Sequence, residues 1–177
     1  NAVHVVWQDA RDGYFELYYK RSTDSGVSWG ADTRLTNALY NSSNPCISVS
    51  GNVVHVVWND DRSLVNFKIY HKRSTDGGIT WSSDTQLSNT QNPSSEKPSV
   101  TVNGQFVHVV WRDLYDGTAG EIYYRSSTDG GVTWGVVTRL TNDPEYSYSP
   151  TIAVSGQFIH VAWHDNRNGA LGEIYYK

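Results

Sequence analysis

Cysteine is nearly absent from this chain. Its 177 residues include one, Cys46, and no methionine. A single thiol excludes an intrachain disulfide framework and a cysteine-rich zinc site, and no other metal or cofactor motif is present. The missing initiator methionine leads to the expectation of a processed or trimmed piece of something longer. Hydrophobic residues are sparse, at 38%. No apolar run approaches the ~20 residues that cross a bilayer, so no membrane span is expected. No stretch repeats apolar residues with a helical period over a helical length, which predicts almost no helix. Lys and Arg number 14 against 18 Asp and Glu, and the net charge of −4 argues against nucleic acid as a partner.

What the chain holds in excess is aromatic: 12 Tyr, 7 Trp and 4 Phe. That content, with many β-branched residues, excludes disorder. The tryptophans are periodic. Trp7, Trp58, Trp111 and Trp163 each close a His-Val-Val-Trp or His-Val-Ala-Trp string, at spacings of 51, 53 and 52. Trp29, Trp81 and Trp134 close a second string with the same period. The repeats run approximately 1–44, 45–97, 98–149 and 150–177, as one array.

One repeat reads as four strands, A to D. Pro98–Val102 alternates and is β-branched, Asn103-Gly104 is a hairpin turn, and Phe106–Trp111 is strand B. Glu121–Arg125 is strand C, a Gly-rich turn follows, and Val137–Thr141 is strand D. Strands B and C carry apolar or aromatic residues on both faces, as sheets stacked on both sides do. A period near 52 residues is the size of a propeller blade, so the predicted fold is an all-β propeller of four-stranded antiparallel blades, about 3.5 in this chain. A β-sandwich is the alternative, and it needs no strict period. The first repeat lacks strand A and the last lacks strand D, which gives 14 strands. Three closures are open: a four-bladed ring with incomplete ends, a fragment of a longer propeller, or a half-propeller completed by a second copy. Bare sheet edges and apolar end faces make self-association as a dimer the expectation.

The C–D turns share one motif: Ser22, Asp24, Gly26 and Trp29; then Ser74, Asp76, Gly78 and Trp81; then Ser127, Asp129, Gly131 and Trp134. The carboxylate can accept backbone N–H bonds within the turn, the glycine supplies a positive φ, and the tryptophan packs the turn on its blade. The string resembles the Asp box, or BNR repeat, of sialidase-like β-propellers. The resemblance implies a secreted or cell-surface protein, a structural role for the boxes, and an active face on the opposite side. It transfers no catalytic residue. The Arg-Ile-Pro motif usual in that family is missing, and Glu145-Tyr146, adjacent in one loop, do not make a nucleophile and its base.

The other face carries the B–C and D–A loops. Each B–C loop opens on Trp-x-Asp (Asp9, Asp60, Asp113, Asp165), and three continue to Arg11, Arg62 and Arg167, with Tyr115 in the third repeat. Asp and Arg two residues apart can pair with each other, or the arginines can reach an anionic or polyhydroxyl ligand. Residues that differ between repeats are further candidates: Arg112, Tyr146 and Tyr148 above all, with Tyr40, Asp61, Glu96, Lys97, Asp116, Glu145 and His164. The four recurring histidines fall one per repeat and read as structural. The sequence favours an extracellular carbohydrate-recognition module with glycan as ligand. Part of an exo-acting glycoside hydrolase, sialidase above all, is the enzyme alternative. A structural or protein-binding propeller without a small ligand is the third.

Overall fold

A computed structural model describes residues 2–62, 66–89, 94–114, 120–169 and 172–177. Among these residues there are 14 strands and no helix. The first sheet holds β1 (Val3–Asp9), β2 (Glu16–Ser22) and β3 (Thr33–Arg34), in that order. The second holds β4 (Ser42–Ser50), β5 (Val53–Asp60), β6 (Lys68–Ser74) and β7 (Thr85–Gln86). The third holds β8 (Ser95–Asn103), β9 (Phe106–Asp113), β10 (Glu121–Ser127) and β11 (Thr138–Arg139). The fourth holds β12 (Ser147–Ser155), β13 (Phe158–Asp165) and β14 (Glu173–Tyr176). Every neighbouring pair is antiparallel.

The core lies between sheets. Leu17, Tyr19 and Leu35 of the first sheet pack on Val56 and Trp58 of the second. Val57, Ile69 and Leu87 of the second meet Val100, Val107, Val109 and Trp111 of the third. Val110 and Ile122 of the third meet Ile152, Val161 and Trp163 of the fourth. Among the described residues no core cluster joins the first sheet to the fourth. Strands β5 and β9 are therefore buried on both faces, whereas among the described residues β1 meets a neighbouring sheet on one face only and is nowhere fully buried.

Two local differences from the sequence reading have physical causes. The hairpin turn of the third sheet is Gly104-Gln105, between the paired Asn103 and Phe106, one residue later than predicted; Gly104 holds the positive φ of 60° that the turn needs. Strand D forms a ladder over only two residues, not five, because a side chain takes over from the backbone. The hydroxyls of Thr36, Ser88 and Thr141 accept the N–H groups of Leu17, Ile69 and Ile122 at 2.8, 3.0 and 2.8 Å.

Candidate functional site

The box turns are closed by their own polar groups. Asp76 accepts from the backbone of Ile79 and Thr80 at 3.0 and 2.9 Å and from the hydroxyls of Thr80 and Ser74. Asp129 repeats this with Val132, Thr133 and Ser127. Asp24 does so with Ser28 and Ser22. These donors hold all three carboxyls well below the usual range, through Ser22 first for Asp24, Thr80 for Asp76 and Thr133 for Asp129. The second and third boxes also tie their sheets to the one before. The ring of Trp81 meets Tyr19 edge-on at 5.0 Å, and Trp134 meets His71 in the same way at 5.0 Å. Arg21 donates to the carbonyl of Gly77, and Arg73 to that of Gly130, both at 2.9 Å. Trp29, in the first sheet, is 42% exposed.

The recurring histidines have a partner on strand C. His4, His108 and His160 share hydrogen bonds with the hydroxyls of Tyr19, Tyr124 and Tyr176 at 2.6, 2.8 and 2.5 Å. In the second sheet His71 replaces the tyrosine and bonds His55 at 3.0 Å.

On the opposite face, Trp-x-Asp-x-Arg is a compact unit. The indole N–H of Trp58 donates to Asp60, Asp60 accepts the backbone N–H of Arg62, and the Arg62 guanidinium pairs with Asp60 and Asp84 while lying over the Tyr70 ring. Burial alone would raise the Asp60 pKa, but Arg62 and Trp58 outweigh it and the value is lowered. Arg167 pairs with Asp165 and Asp143 over Tyr175, and Arg11 with Asp9 and Asp32 over Tyr18. The three arginines thus stand in three different sheets, each held by carboxylates of this chain. Tyr115 and Asp116 lie outside the described residues.

A different set converges where the first turns of strands A lie side by side. Asn44, Lys97 and Ser149 have φ of 51°, 54° and 50°, each directly before a proline. A bulge in the A–B ladder coincides with each: the register shifts between Ser43 and Cys46, between Glu96 and Ser99, and between Tyr148 and Thr151. Non-glycine residues seldom adopt this conformation, which re-aims the side chain. These three residues and Pro45, Pro98 and Pro150 line a cavity of about 260 Å³. Lys97 donates to the Asn44 side-chain oxygen at 3.0 Å, and the Asn44 amide donates to Asn59 at 2.9 Å. The Gln8 side chain accepts the Asn44 backbone N–H at 2.7 Å.

Gln8, Asn59, Arg112 and His164 all occupy the middle of Trp-x-Asp. Arg112 lies over the Tyr146 ring at 5.7 Å, and its buried Nε has no hydrogen-bond partner among the described residues. Tyr148 stacks on His164 at 5.1 Å. Arg112 is thus paired with Tyr146, and Tyr148 with His164, apart from the arginine–carboxylate units. Sequence reasoning passed over Asn44 and Ser149. Their signal is an x-Pro pair recurring three times, at the start of each strand A.

Compared with protein-family models and with curated proteins, the sequence matches none. Its fold does match solved structures. A Hadza microbial sialidase superposes with a TM-score of 0.68 at 15% identity, over 92% of this chain and 38% of that one. An α-L-arabinofuranosidase mutant of Fusarium graminearum, solved with an iminosugar inhibitor, gives 0.72 at 16%, over 100% and 58%. A mutant Trypanosoma rangeli sialidase displaying trans-sialidase activity gives 0.70 at 13%, over 99% and 34%. The chain thus spans between about a third and three-fifths of the length of these enzymes. The likeness establishes a sialidase-like propeller fold, which is also the fold of these glycoside hydrolases.

Proposed function

We propose that this chain is a carbohydrate-recognition module working outside the cell, and that a glycan binds on the face that carries Asn44, Lys97 and Ser149. One observation carries the reading. At two places in the repeat the frame is constant and a single side chain varies. The residue before the bulge proline is Asn44, Lys97 or Ser149, and the residue inside Trp-x-Asp is Gln8, Asn59, Arg112 or His164. Packing alone gives no reason for such changes at otherwise fixed positions. An amide, a hydroxyl and an ammonium group around one cavity match the donors and acceptors of a polyhydroxyl ligand, and exposed Tyr146 offers a ring for a sugar face. Arg112, Tyr146 and Tyr148 are the proposed contacts, joined by Lys97 and Asn44; Arg11, Arg62 and Arg167 hold the loops that frame them.

A second reading, part of an exo-acting glycoside hydrolase, is favoured by the sialidase and arabinofuranosidase neighbours. A glycan array run beside fluorogenic sialoside and arabinofuranoside assays separates the readings. Array hits without turnover support recognition, turnover supports the enzyme, and silence on both leaves a scaffold. The end faces support self-association: exposed Trp29 and Tyr176 are the two halves of a contact made twice inside the chain, by Trp81 with Tyr19 and by Trp134 with His71.

A further inference from the structure

The seam between the second and third sheets holds a pair of groups that no other sheet repeats. Elsewhere the strand-B histidine meets a tyrosine hydroxyl. Here it meets a second histidine, with Nδ1 of His55 3.0 Å from Nε2 of His71. Both residues are wholly buried. They alternate along β5 and β6 with Val57 and Ile69, so they stand on the face turned to the third sheet.

The box turn of the third sheet is seated on this pair. Trp134 meets the His71 ring edge-on at 5.0 Å. A Cβ on Gly131 would stand 2.9 Å from Cε1 of His71 and 3.4 Å from Cε1 of His55, so the glycine backbone lies against both rings. Arg73 donates to the neighbouring Gly130 carbonyl at 2.9 Å. The first seam is built differently. There Trp81 lies edge-on to Tyr19, and His4 is only partly buried against a hydroxyl that can accept as well as donate.

The seat has no place for a positive charge. Whichever ring donates the shared hydrogen bond, Nε2 of His55 is buried with no hydrogen-bond partner among the described residues. One added proton therefore leaves a charged N–H without an acceptor, and a second sets two N–H donors against each other. The charged neighbours give no relief. Arg73, opposite His55 in the ladder, repels a charge on either ring. Arg125 of β10 also reaches across the seam and donates to the Leu87 carbonyl at 2.8 Å. Asp129, in the seated turn, is turned inward onto Ser127, Val132 and Thr133. Asp76, in the second sheet's own box turn, exerts its field on Tyr19 of the first sheet. His108 of β9 is bonded to Tyr124 on the other face of its sheet. Lys68, Glu96, Lys97, Asp113 and Glu121 stand at the opposite end of the strands, about five residues or ~17 Å from the pair.

We propose that the second–third seam is an acid-operated joint: as pH falls below about 6, protons taken up by His55 and His71 unseat the third box turn, Gly131 and Trp134 with it, while the first seam stays closed. Linkage sets the sign and the size. In the unseated state the rings titrate near pH 6.5, and in the seated state burial holds both well below that. Closure is complete above about pH 6.5 and is lost as pH falls toward the lowered values. At pH 5 each histidine favours the unseated state about thirtyfold. The turn itself persists, because the Thr133 hydroxyl first, and then its other donors, hold the Asp129 carboxyl well below the usual range. Acid thus acts on the seat and leaves the box intact.

The test labels the chain with fluorotryptophan and follows its fluorine NMR spectrum from pH 7.5 to pH 4.5, with Trp81→Phe and Trp134→Phe identifying two of the lines. The Trp134 line should leave its neutral-pH position reversibly while the Trp81 line holds. His71→Tyr restores the histidine–tyrosine pair of the other sheets, so it should lower the opening constant at pH 5 about thirtyfold and keep the Trp134 line in place to lower pH. A carbon NMR titration of the six histidine rings gives a second reading that depends on no variant of the seam. Two rings should take up protons only over the range in which Trp134 moves. A Trp134 line unmoved down to pH 4.5 overturns the proposal. So does a line that moves together with that of Trp81, which is global acid unfolding, and so does a transition that is the same in His71→Tyr as in the parent.

Discussion

His55 and His71 face each other across β5 and β6, with Nδ1 of the first 3.0 Å from Nε2 of the second and the rings stacked. Burial pushes both below the ordinary histidine range. The unfolded chain takes up protons as pH falls through about 6.5, while the folded pair resists them. Stability contributed by neutral histidines is complete above about pH 6.5 and is lost as pH falls toward their lowered folded values. His71→Tyr restores the histidine–tyrosine pair of the other sheets, and Gly131 leaves room as Gly78 does for Tyr19. Near pH 5 the variant should be more stable than the parent by about 2 kcal/mol, with little difference at pH 7.5. Melting curves at the two pH values check this, and parallel shifts of parent and variant would count against it.

Trp81→Ala removes a ring lodged between the first two sheets and should cost about 3 kcal/mol. Trp29→Ala, in the same motif, should cost under about 1 kcal/mol in the monomer, because its ring lacks that bed. Chemical denaturation of the two variants side by side decides whether the box tryptophan acts through its neighbour sheet.

Gly78→Ala should destabilise severely, by more than about 3 kcal/mol, since the new methyl meets the Tyr19 hydroxyl at a φ of 87°. Gly51→Ala has a positive φ too, but open space around it, and should cost only about 1 kcal/mol. Equal losses would mean that backbone strain, not the close approach, governs both.

On the glycan face, Lys97→Ala and Arg112→Ala should each lower affinity for an array hit about tenfold or more while leaving the melting temperature within a degree or two. Arg62→Ala should do the reverse, lowering stability through the stranded Asp60 carboxylate with a smaller effect on affinity. A thermal-shift series and a binding isotherm for each variant give the comparison.

In solution at low micromolar concentration, native mass spectrometry should find a dimer, and Trp29→Asp should shift it to monomer. A parent that stays monomeric would remove the end-face contact from the picture.

The fold was legible because its signals are local and repeated. Trp-x-Asp-x-Arg and Ser-x-Asp-x-Gly each close on themselves within a few residues, so spacing alone reveals who can bond whom. The 52-residue period then counts the sheets. What depends on register was hidden. The meeting of His55 with His71 requires knowing that the first pairs with Arg73 across the ladder. Val137–Thr141 reads as a strand by composition, yet only Thr138 and Arg139 pair, since Thr141 spends its hydroxyl on the bond a longer ladder would make. Asn44, Lys97 and Ser149 share no side-chain chemistry, so only their backbone unites them, and φ is not written in residue type except at glycine.

Among the described residues each sheet shares a core cluster only with the sheets next to it, which makes this part of the molecule a series of coupled units. Its free energy is then close to a sum of unit terms and nearest-neighbour couplings, and the end units carry one coupling where the inner units carry two. Amide exchange should therefore be graded by position, slowest in β5 and β9 and fastest in β1 and β14, with the gradient set by the number of neighbours, not by the sequence of the strand.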